Sequence, residues 1–170
     1  MSQSIDFALP PSSLQVTFDG GQLTSDGGLC WLSAADAALG LCAALAAVLP
    51  DRRRGPVTHS LEQLIRQRVF QIACGYEDQN DATTLRSDPL LKLVCGRRPA
   101  EADLASQPTL SRLENAVDAK GCYRLARALV QLYLQERGRD GTPTRIVLDF
   151  DPTDDPAAWA AGRDCLPRVL

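Results

Sequence analysis

The spacing of apolar residues changes near residue 140, and this change limits the folds that the chain can adopt. From residue 29 to residue 138, apolar residues recur at helical spacing in segments that Gly and Pro interrupt. Residues 144–151 (TRIVLDFD) then form a β-rich apolar run between Gly141 and Pro152, which is typical of a buried strand. The sequence therefore predicts a mainly α chain in which a helical region precedes one strand.

Two glycine-rich turns precede the helices. Residues 14–18 alternate apolar and polar side chains and lead into the turn at 19–21, and a second turn follows at 25–28. No lysine follows either glycine pair, so a phosphate-binding loop is not indicated. We expect a small hairpin or extended arm in this region.

Local signals predict the first helices. Residues 29–49 form either one helix broken at Gly40 or two short ones. Ser60 is a suitable N-cap for the next helix, which has a regular apolar face and places Gln67 and Gln71 on the opposite, polar face.

Further helices are predicted along the rest of this region. Two short ones occupy 78–86 and 89–94, and another begins near residue 106 with Pro108 in its first turn. A long helix follows Gly121 and ends at Gly138. We expect its apolar stripe to lie in the core; the stripe consists of Leu125, Ala126, Leu129, Leu132 and Tyr133.

The charge of the chain gives mixed indications about nucleic acid. Residues 1–148 have no net charge, and residues 149–170 carry the whole net charge of −3. Of the 18 basic residues, 16 are arginine, whose planar guanidinium suits bidentate contact with phosphate. The chain nevertheless lacks the basic pI expected of a DNA-binding domain.

Two segments are candidates for DNA contact. Arg52, Arg53 and Arg54 are adjacent in a loop, where they either contact phosphates or form a solvated loop. The helix over 106–115 displays polar side chains that reach phosphates and base edges in recognition helices, although an ordinary amphipathic surface helix has the same composition. These side chains are Thr109, Ser111, Arg112 and Asn115.

Two carboxylates at the end of the predicted strand are candidates for a metal site. Asp149 and Asp151 point to the same face of a strand, about 6 to 7 Å apart along the chain. Carboxylates on one face repel each other unless a cation or a shared proton offsets their charge. A divalent metal ion is one solution, and a solvated acidic turn is the alternative.

Other side chains give no sign of chemistry. The six cysteines have no paired spacing and His59 is the only histidine, so a zinc site is not indicated; we expect buried or idle thiols and a structural histidine. The longest uncharged run, 37–50, is too short to span a membrane, which needs about 20 residues. The N-terminus lacks the features of a secretory signal, and we therefore expect a cytoplasmic protein.

Five segments in a fixed order carry a family resemblance: LTSDGGL (23–29), HSLEQLIRQR (59–68), GYEDQND (75–81), LASQPTLSRLEN (104–115) and VLDFDPTDDP (147–156). Together they resemble the N-terminal part of DDE transposases of bacterial insertion sequences, whose catalytic domain has a ribonuclease H-like fold. The resemblance implies an extended arm at 1–28, a helical DNA-binding region at 29–138 and the first strand of the catalytic domain at 139–157.

The resemblance also implies a partner and a chemistry. The helical region would bind the terminal inverted repeats of the transposon. Asp151, followed by Pro152 and Thr153, fits the first metal-binding aspartate of the family, and Asp149 is the second choice or a neighbouring partner. Two Mg²⁺ (or Mn²⁺) ions held with two further carboxylates would assist in-line attack on a phosphodiester. The resemblance leaves two protein partners open, which are a second copy of this chain and a full-length transposase. It also implies a bacterial protein that associates with the nucleoid.

The sequence departs from the family pattern after Pro156. Members commonly continue with a sequence such as HGQQEG, whereas this chain reads AAWAAGRDCLPRVL. Permitted codons for this tail, read one base out of frame, encode HGQQEG. We therefore expect a frameshift near codon 157 or 158, a tail at 158–170 outside the family pattern, and no DNA cleavage by this chain alone.

Two other functions compete with this one. Residues 149–153 match the DxDxT motif of haloacid dehalogenase-like phosphatases, but those folds need further motifs far beyond it. The other alternative is a non-catalytic DNA-binding regulator that competes with an intact transposase, or an inert remnant. Steep salt dependence of DNA binding would favour the regulator.

Overall fold

A two-stranded antiparallel hairpin precedes the helices. The structure is a computed structural model that describes residues 4–9, 12–17, 20–21, 23–139, 141 and 145–147. Strand β1 (Ser4–Leu9) pairs with β2 (Ser12–Thr17). Both strands lie within the arm expected at 1–28, and β2 overlaps the run at 14–18 that was predicted to be extended. The pairing lies before the two glycine-rich turns, because the partner of residues 12–17 precedes them in the chain.

The first three helices follow their local signals. Helix α1 (Leu29–Leu39) and helix α2 (Leu41–Ala47) are separated by Gly40, whose φ of 68° places it in the left-handed region that favours glycine. The alternative of two short helices is therefore confirmed. Helix α3 (Leu61–Ala73) is capped by Ser60, whose hydroxyl oxygen accepts the N–H of Gln63 at 3.1 Å, as predicted.

Four more helices complete the described chain. A 3-10 turn (Gln79–Asp81) leads into α4 (Ala82–Leu85), and α5 (Pro89–Val94) is capped by the carboxylate of Asp88. Helix α6 (Gln107–Asn115) has a proline in its first turn, as predicted. Helix α7 (Ala119–Arg139) begins two residues before Gly121, the predicted start. The described part of the chain is mainly α.

Two groups of buried side chains form the core. The larger group draws on α1, α2, α3, α5 and α7, and the smaller joins α3 to α4 and α6. Leu113 of α6 packs against both groups, so the position of α6 is tied to the whole core. The larger group contains Leu29, Cys42, Leu45, Ile65, Phe70, Leu91, Cys95, Leu104 and Ala128, and the smaller contains Leu64, Ala82, Ala105 and Leu110.

The prediction for the apolar stripe of α7 is wrong over most of its length. Leu125 packs against the core, but Ala126 is exposed and Leu132 is only half-buried. Leu129 and Tyr133 are 49% and 62% exposed. Helical spacing identifies an apolar face, but burial requires a neighbouring element, and among the described elements α2 packs most extensively against α7.

The polar face predicted for α3 is also partly wrong. Gln67 and Gln71 are buried, with 0% and 2% of their surface exposed. The side-chain amide of Gln67 donates to the carbonyl of Ala105 at 2.9 Å and accepts the Ala105 N–H at 3.0 Å. This pair of hydrogen bonds fixes the backbone immediately before α6.

The run predicted to form a strand is described only at residues 145–147. These residues are in no strand, and Ile146 and Val147 are 68% and 74% exposed beside Tyr133 and Leu134 of α7. The rest of the run at 144–151 lies outside the described residues, so the strand stays a prediction.

Candidate nucleic-acid interface

The loop between α2 and α3 is organised by Arg53. Its guanidinium donates from Nε and Nη2 to the two carboxylate oxygens of Asp51, at 2.8 and 2.6 Å, and from Nη1 to the carbonyl of His59 at 2.7 Å. These hydrogen bonds lower the pKa of the Asp51 carboxyl to about 2. Three of the five guanidinium N–H donors of Arg53 thus hold the loop together.

The two neighbouring arginines are placed differently. Arg54 is exposed and has no hydrogen bond or ion pair with any residue that the structure describes. Arg52 lies 3.5 Å from the carboxylate of Asp118, and the two side chains are 68% and 49% exposed. An ion pair this exposed contributes little to stability. Arg52 and Arg54 are therefore the members of the triplet whose guanidinium groups are not held by a hydrogen bond to the described residues.

Helix α6 presents the other predicted contact residues. Its inner side is fixed by Leu110, which is fully buried, and by Leu113. Arg112 and Asn115 are exposed, and Thr109 and Ser111 are half-buried. Asn115 donates to the hydroxyl of Ser111 at 3.2 Å, and Arg112 lies 3.4 Å from the hydroxyl of Thr109. These long contacts leave the side chains free to exchange partners.

One groove brings parts of the two predicted segments together. It has a volume of about 280 Å³, and its polar lining comes from Asp51, Arg52, Arg53, Thr109 and Arg112. Its apolar lining comes from α3 and α6, with Leu61, Leu64, Leu113 and Ala116. Arg54, Ser111 and Asn115 do not line this groove. The structure thus unites Arg52 and Arg53 with Thr109 and Arg112, and the other three candidates lie outside the groove.

A smaller cavity of about 40 Å³ continues the groove toward the start of α7. Arg52 lines both cavities, and Asp118, Gly121 and Arg124 line the smaller one. The Nε atom of Arg124 is buried and has no hydrogen-bond partner among the described residues. The sequence prediction missed Arg124 and Asp118. An aspartate three residues before Gly121 is a helix-capping signal that could have identified Asp118 as the N-terminal boundary of α7.

The carboxylates near the groove are each held by a cation. Asp51 is bound to Arg53, and Glu114 pairs with Arg68, which also donates to the carbonyls of Tyr76 and Glu77. The N–H of Gly121, together with nearby cations, lowers the pKa of Asp118. Exposed positive charge remains at Arg52, Arg54, Arg112 and Lys120.

Histidine and cysteine play no part in this groove. His59 accepts a hydrogen bond from Arg97 at 3.2 Å, and burial together with the charge of Arg97 lowers the pKa of its imidazole. Burial raises the pKa of the Cys42 and Cys95 thiols to about 12. Cys30 and Cys122 are exposed and Cys74 is half-buried.

The predicted metal ligands cannot be placed. Asp149 and Asp151 lie outside the described residues. Within the described ranges, no group of three or more His, Cys, Asp or Glu side chains could hold a metal ion.

The length and apolar character of the helices bear on whether any of them could span a membrane. Across the described residues, no single helix is both long and apolar enough, and one pair bent by 58°, Leu29–Leu39 with Leu41–Ala47, meets the length and composition criteria together.

Comparison with known proteins identifies the family. The family model described as "Transposase DDE domain group 1" matches residues 8–159, and the chain belongs to this family. The resemblance to DDE transposases is thus confirmed. No curated protein and no solved structure matches the chain. Transposases act on DNA, and DDE transposases generally use divalent metal ions.

Proposed function

We propose that the helical region, 29–138, is the DNA-binding part of a DDE transposase and that it binds the terminal inverted repeats. One observation carries this proposal: the groove at the α2–α3 loop joins Arg52 to Thr109 and Arg112 of α6. Neither segment alone distinguishes a DNA contact from a solvated surface. Their meeting in one groove gives exposed cations and hydroxyl groups a common surface that a phosphate backbone can follow.

The two sides of the groove have different roles in this proposal. Arg52 and Arg54 bind phosphates, because they extend from a loop and their guanidinium groups are exposed. Helix α6 reads base edges through Arg112 and Asn115, with Thr109 and Ser111 contacting the backbone. We assign Arg53 to support of the loop instead of the predicted phosphate contact, because three of its N–H donors bind Asp51 and the carbonyl of His59.

Salt-dependent binding tests the proposal. Fluorescence anisotropy would measure the affinity of the full chain for a duplex from the ends of the element and for a random duplex. Arg52→Gln should weaken binding to both duplexes and reduce the slope of log K against log salt by about 0.9, the value for one lost phosphate contact. Arg112→Gln should reduce the preference for the end sequence by about tenfold, because a base contact is lost.

Arg98→Gln provides the matched control. Arg98 is also an exposed arginine with a distant carboxylate partner, Glu101 at 4.0 Å, but it lines neither the groove nor the smaller cavity. Its affinity for both duplexes should equal that of the wild type. If Arg98→Gln weakens binding as much as Arg52→Gln, or if the wild type binds neither duplex, the groove is not the DNA interface.

The catalytic assignment is a separate proposal that depends on the sequence. We propose Asp151 as the first metal-binding carboxylate, with Asp149 as the second choice and Mg²⁺ or Mn²⁺ as the ion. A two-metal site needs carboxylates in addition to this pair. A polypeptide of just these 170 residues should therefore bind DNA ends without cutting them. Cleavage in Mg²⁺ or Mn²⁺ that Asp151→Ala abolishes would contradict this expectation.

A further inference from the structure

The carboxylate of Asp118 stands at the edge of the groove between a helix terminus and Arg52. Its Oδ1 accepts the N–H of Gly121 at 2.7 Å and caps α7, while its Oδ2 lies 3.5 Å from Nη2 of Arg52. One oxygen of the Asp118 carboxylate therefore caps α7, and the other pairs with Arg52, which is proposed to bind phosphate.

The backbone around Asp118 fixes the position of this carboxylate. Gly121 is buried, and a Cβ atom built there would lie 2.8 Å from Cγ1 of Val117 and 3.3 Å from Oδ1 of Asp118. A side chain at position 121 would therefore clash with Val117 and crowd the capping carboxylate. Arg52, in contrast, is 68% exposed and extends from a loop, so its end can move while the carboxylate stays in place.

Asp118 is charged at neutral pH. The N–H of Gly121 is the main cause of its lowered pKa, and Arg52, Arg124 and Lys120 lower it further. A DNA phosphate that approaches Arg52 therefore meets a negative charge next to the guanidinium. The phosphate must compete with the Asp118 carboxylate for the guanidinium of Arg52, because the carboxylate already offsets part of its positive charge.

We propose that Asp118 limits DNA binding by competing with phosphate for Arg52, and that this competition sets the affinity of the groove for DNA of any sequence. The inference depends on the proposed DNA-binding function of the groove. In the free protein Arg52 points toward Asp118, and in the complex its guanidinium turns to a phosphate. Asp118 is thereby a residue that controls specificity, because it weakens the sequence-independent part of binding and leaves base contacts from α6 unaffected.

The substitution Asp118→Asn separates the two roles of the side chain. Asparagine keeps an oxygen that can accept the Gly121 N–H, and it is as good an N-cap as aspartate, but it carries no charge. We expect Asp118→Asn to bind a random duplex about three- to tenfold more tightly at low salt and to steepen the salt slope by up to about 0.9. Glu101→Gln, which removes the distant partner of Arg98, should leave the affinity unchanged.

The double variant with Arg52→Gln decides whether the effect acts through Arg52. If it does, adding Asp118→Asn to Arg52→Gln should change the affinity by less than about twofold. An equal gain in both backgrounds would show only general repulsion of DNA by a negative charge and would overturn the proposal, as would no gain in the wild-type background. Thermal melting checks the fold, and Asp118→Ser, another capping residue, replaces Asp118→Asn if that variant unfolds.

The test also separates this inference from the function on which it depends. If the wild type binds no DNA, the groove is not a DNA interface and both proposals fail. If it binds DNA and Arg52→Gln weakens binding, while Asp118→Asn binds as the wild type does, the DNA interface stands and the competition by Asp118 is refuted.

Discussion

Gln67 and Gln71 lie one turn apart on α3 and provide a matched pair for testing how the core holds α6. Both are buried, but only Gln67 has hydrogen-bond partners among the described residues, namely the N–H and C=O of Ala105. Both amide atoms of Gln71 are buried without a partner in the described part of the chain. The same substitution, Gln→Met, keeps the approximate side-chain volume and removes the polar group at either position.

The two variants should differ clearly in stability. Gln67→Met leaves two buried backbone groups of Ala105 without partners, and each such group costs about 1 to 3 kcal/mol, so we expect a loss of about 3 kcal/mol. Gln71→Met removes two polar atoms that have no partners, so stability should stay unchanged or rise by about 1 kcal/mol. The difference between the variants is then about 3 to 4 kcal/mol in favour of Gln71→Met.

Urea unfolding followed by far-UV circular dichroism measures this difference. With a slope of about 1 to 3 kcal/mol per molar urea, the two midpoints should differ by more than about 1 M. Equal losses in both variants would refute the reasoning, because the hydrogen bonds to Ala105 would then contribute nothing measurable. A larger loss of stability for Gln71→Met than for Gln67→Met would show that the amide of Gln71 makes stabilising interactions.

Two further predictions concern titration and reactivity. The Asp51 carboxyl, followed by NMR, should titrate near pH 2, and Arg53→Gln should raise its pKa toward 3.8. Because Arg53 lowers the folded-state pKa of Asp51, the pair stabilises the fold above the ordinary pKa of the carboxyl, and this stabilisation is lost as the pH falls through about 2. An unchanged pKa in Arg53→Gln would contradict Arg53 as the cause of the shift. Under mildly alkaline conditions iodoacetamide should modify the exposed thiols quickly and the buried ones only after unfolding, as read by mass spectrometry, and early modification of a buried thiol would contradict the fold. Among the described residues, the exposed thiols are Cys30 and Cys122, and the buried ones are Cys42 and Cys95.

Helix boundaries could be predicted because their causes are local. Ser60 caps α3 through a hydroxyl three residues from its partner, and Gly40 separates α1 from α2 with a φ that favours glycine. Each signal depends on a few neighbouring residues. Such signals are readable in the sequence without knowledge of what packs against the helix.

Burial could not be predicted in the same way, because it depends on distant segments. Gln67 is buried because residue 105 presents its backbone to the amide, and no local signal reveals that partner. Leu129 and Tyr133 have the spacing of a core stripe but remain exposed, because the core covers Leu125 and Ala128 of α7 and not these two side chains. The spacing identifies the apolar face, and the tertiary contacts decide whether that face is covered.

The three adjacent arginines show the same dependence at the candidate site. Their side chains are chemically identical, yet Arg53 is bound by Asp51 and the carbonyl of His59, while Arg52 faces Asp118 across the end of the groove. Asp51, which binds Arg53, is two residues away in the sequence, whereas Asp118, which pairs with Arg52, caps the start of α7. The sequence could therefore identify the triplet as a cationic loop, but the different partners of Arg53 and Arg52 arise only when the start of α7 is brought beside the loop. Removing the charge of Asp118 should consequently alter DNA binding through Arg52, whereas removing the charge of Asp51 should alter the loop through Arg53.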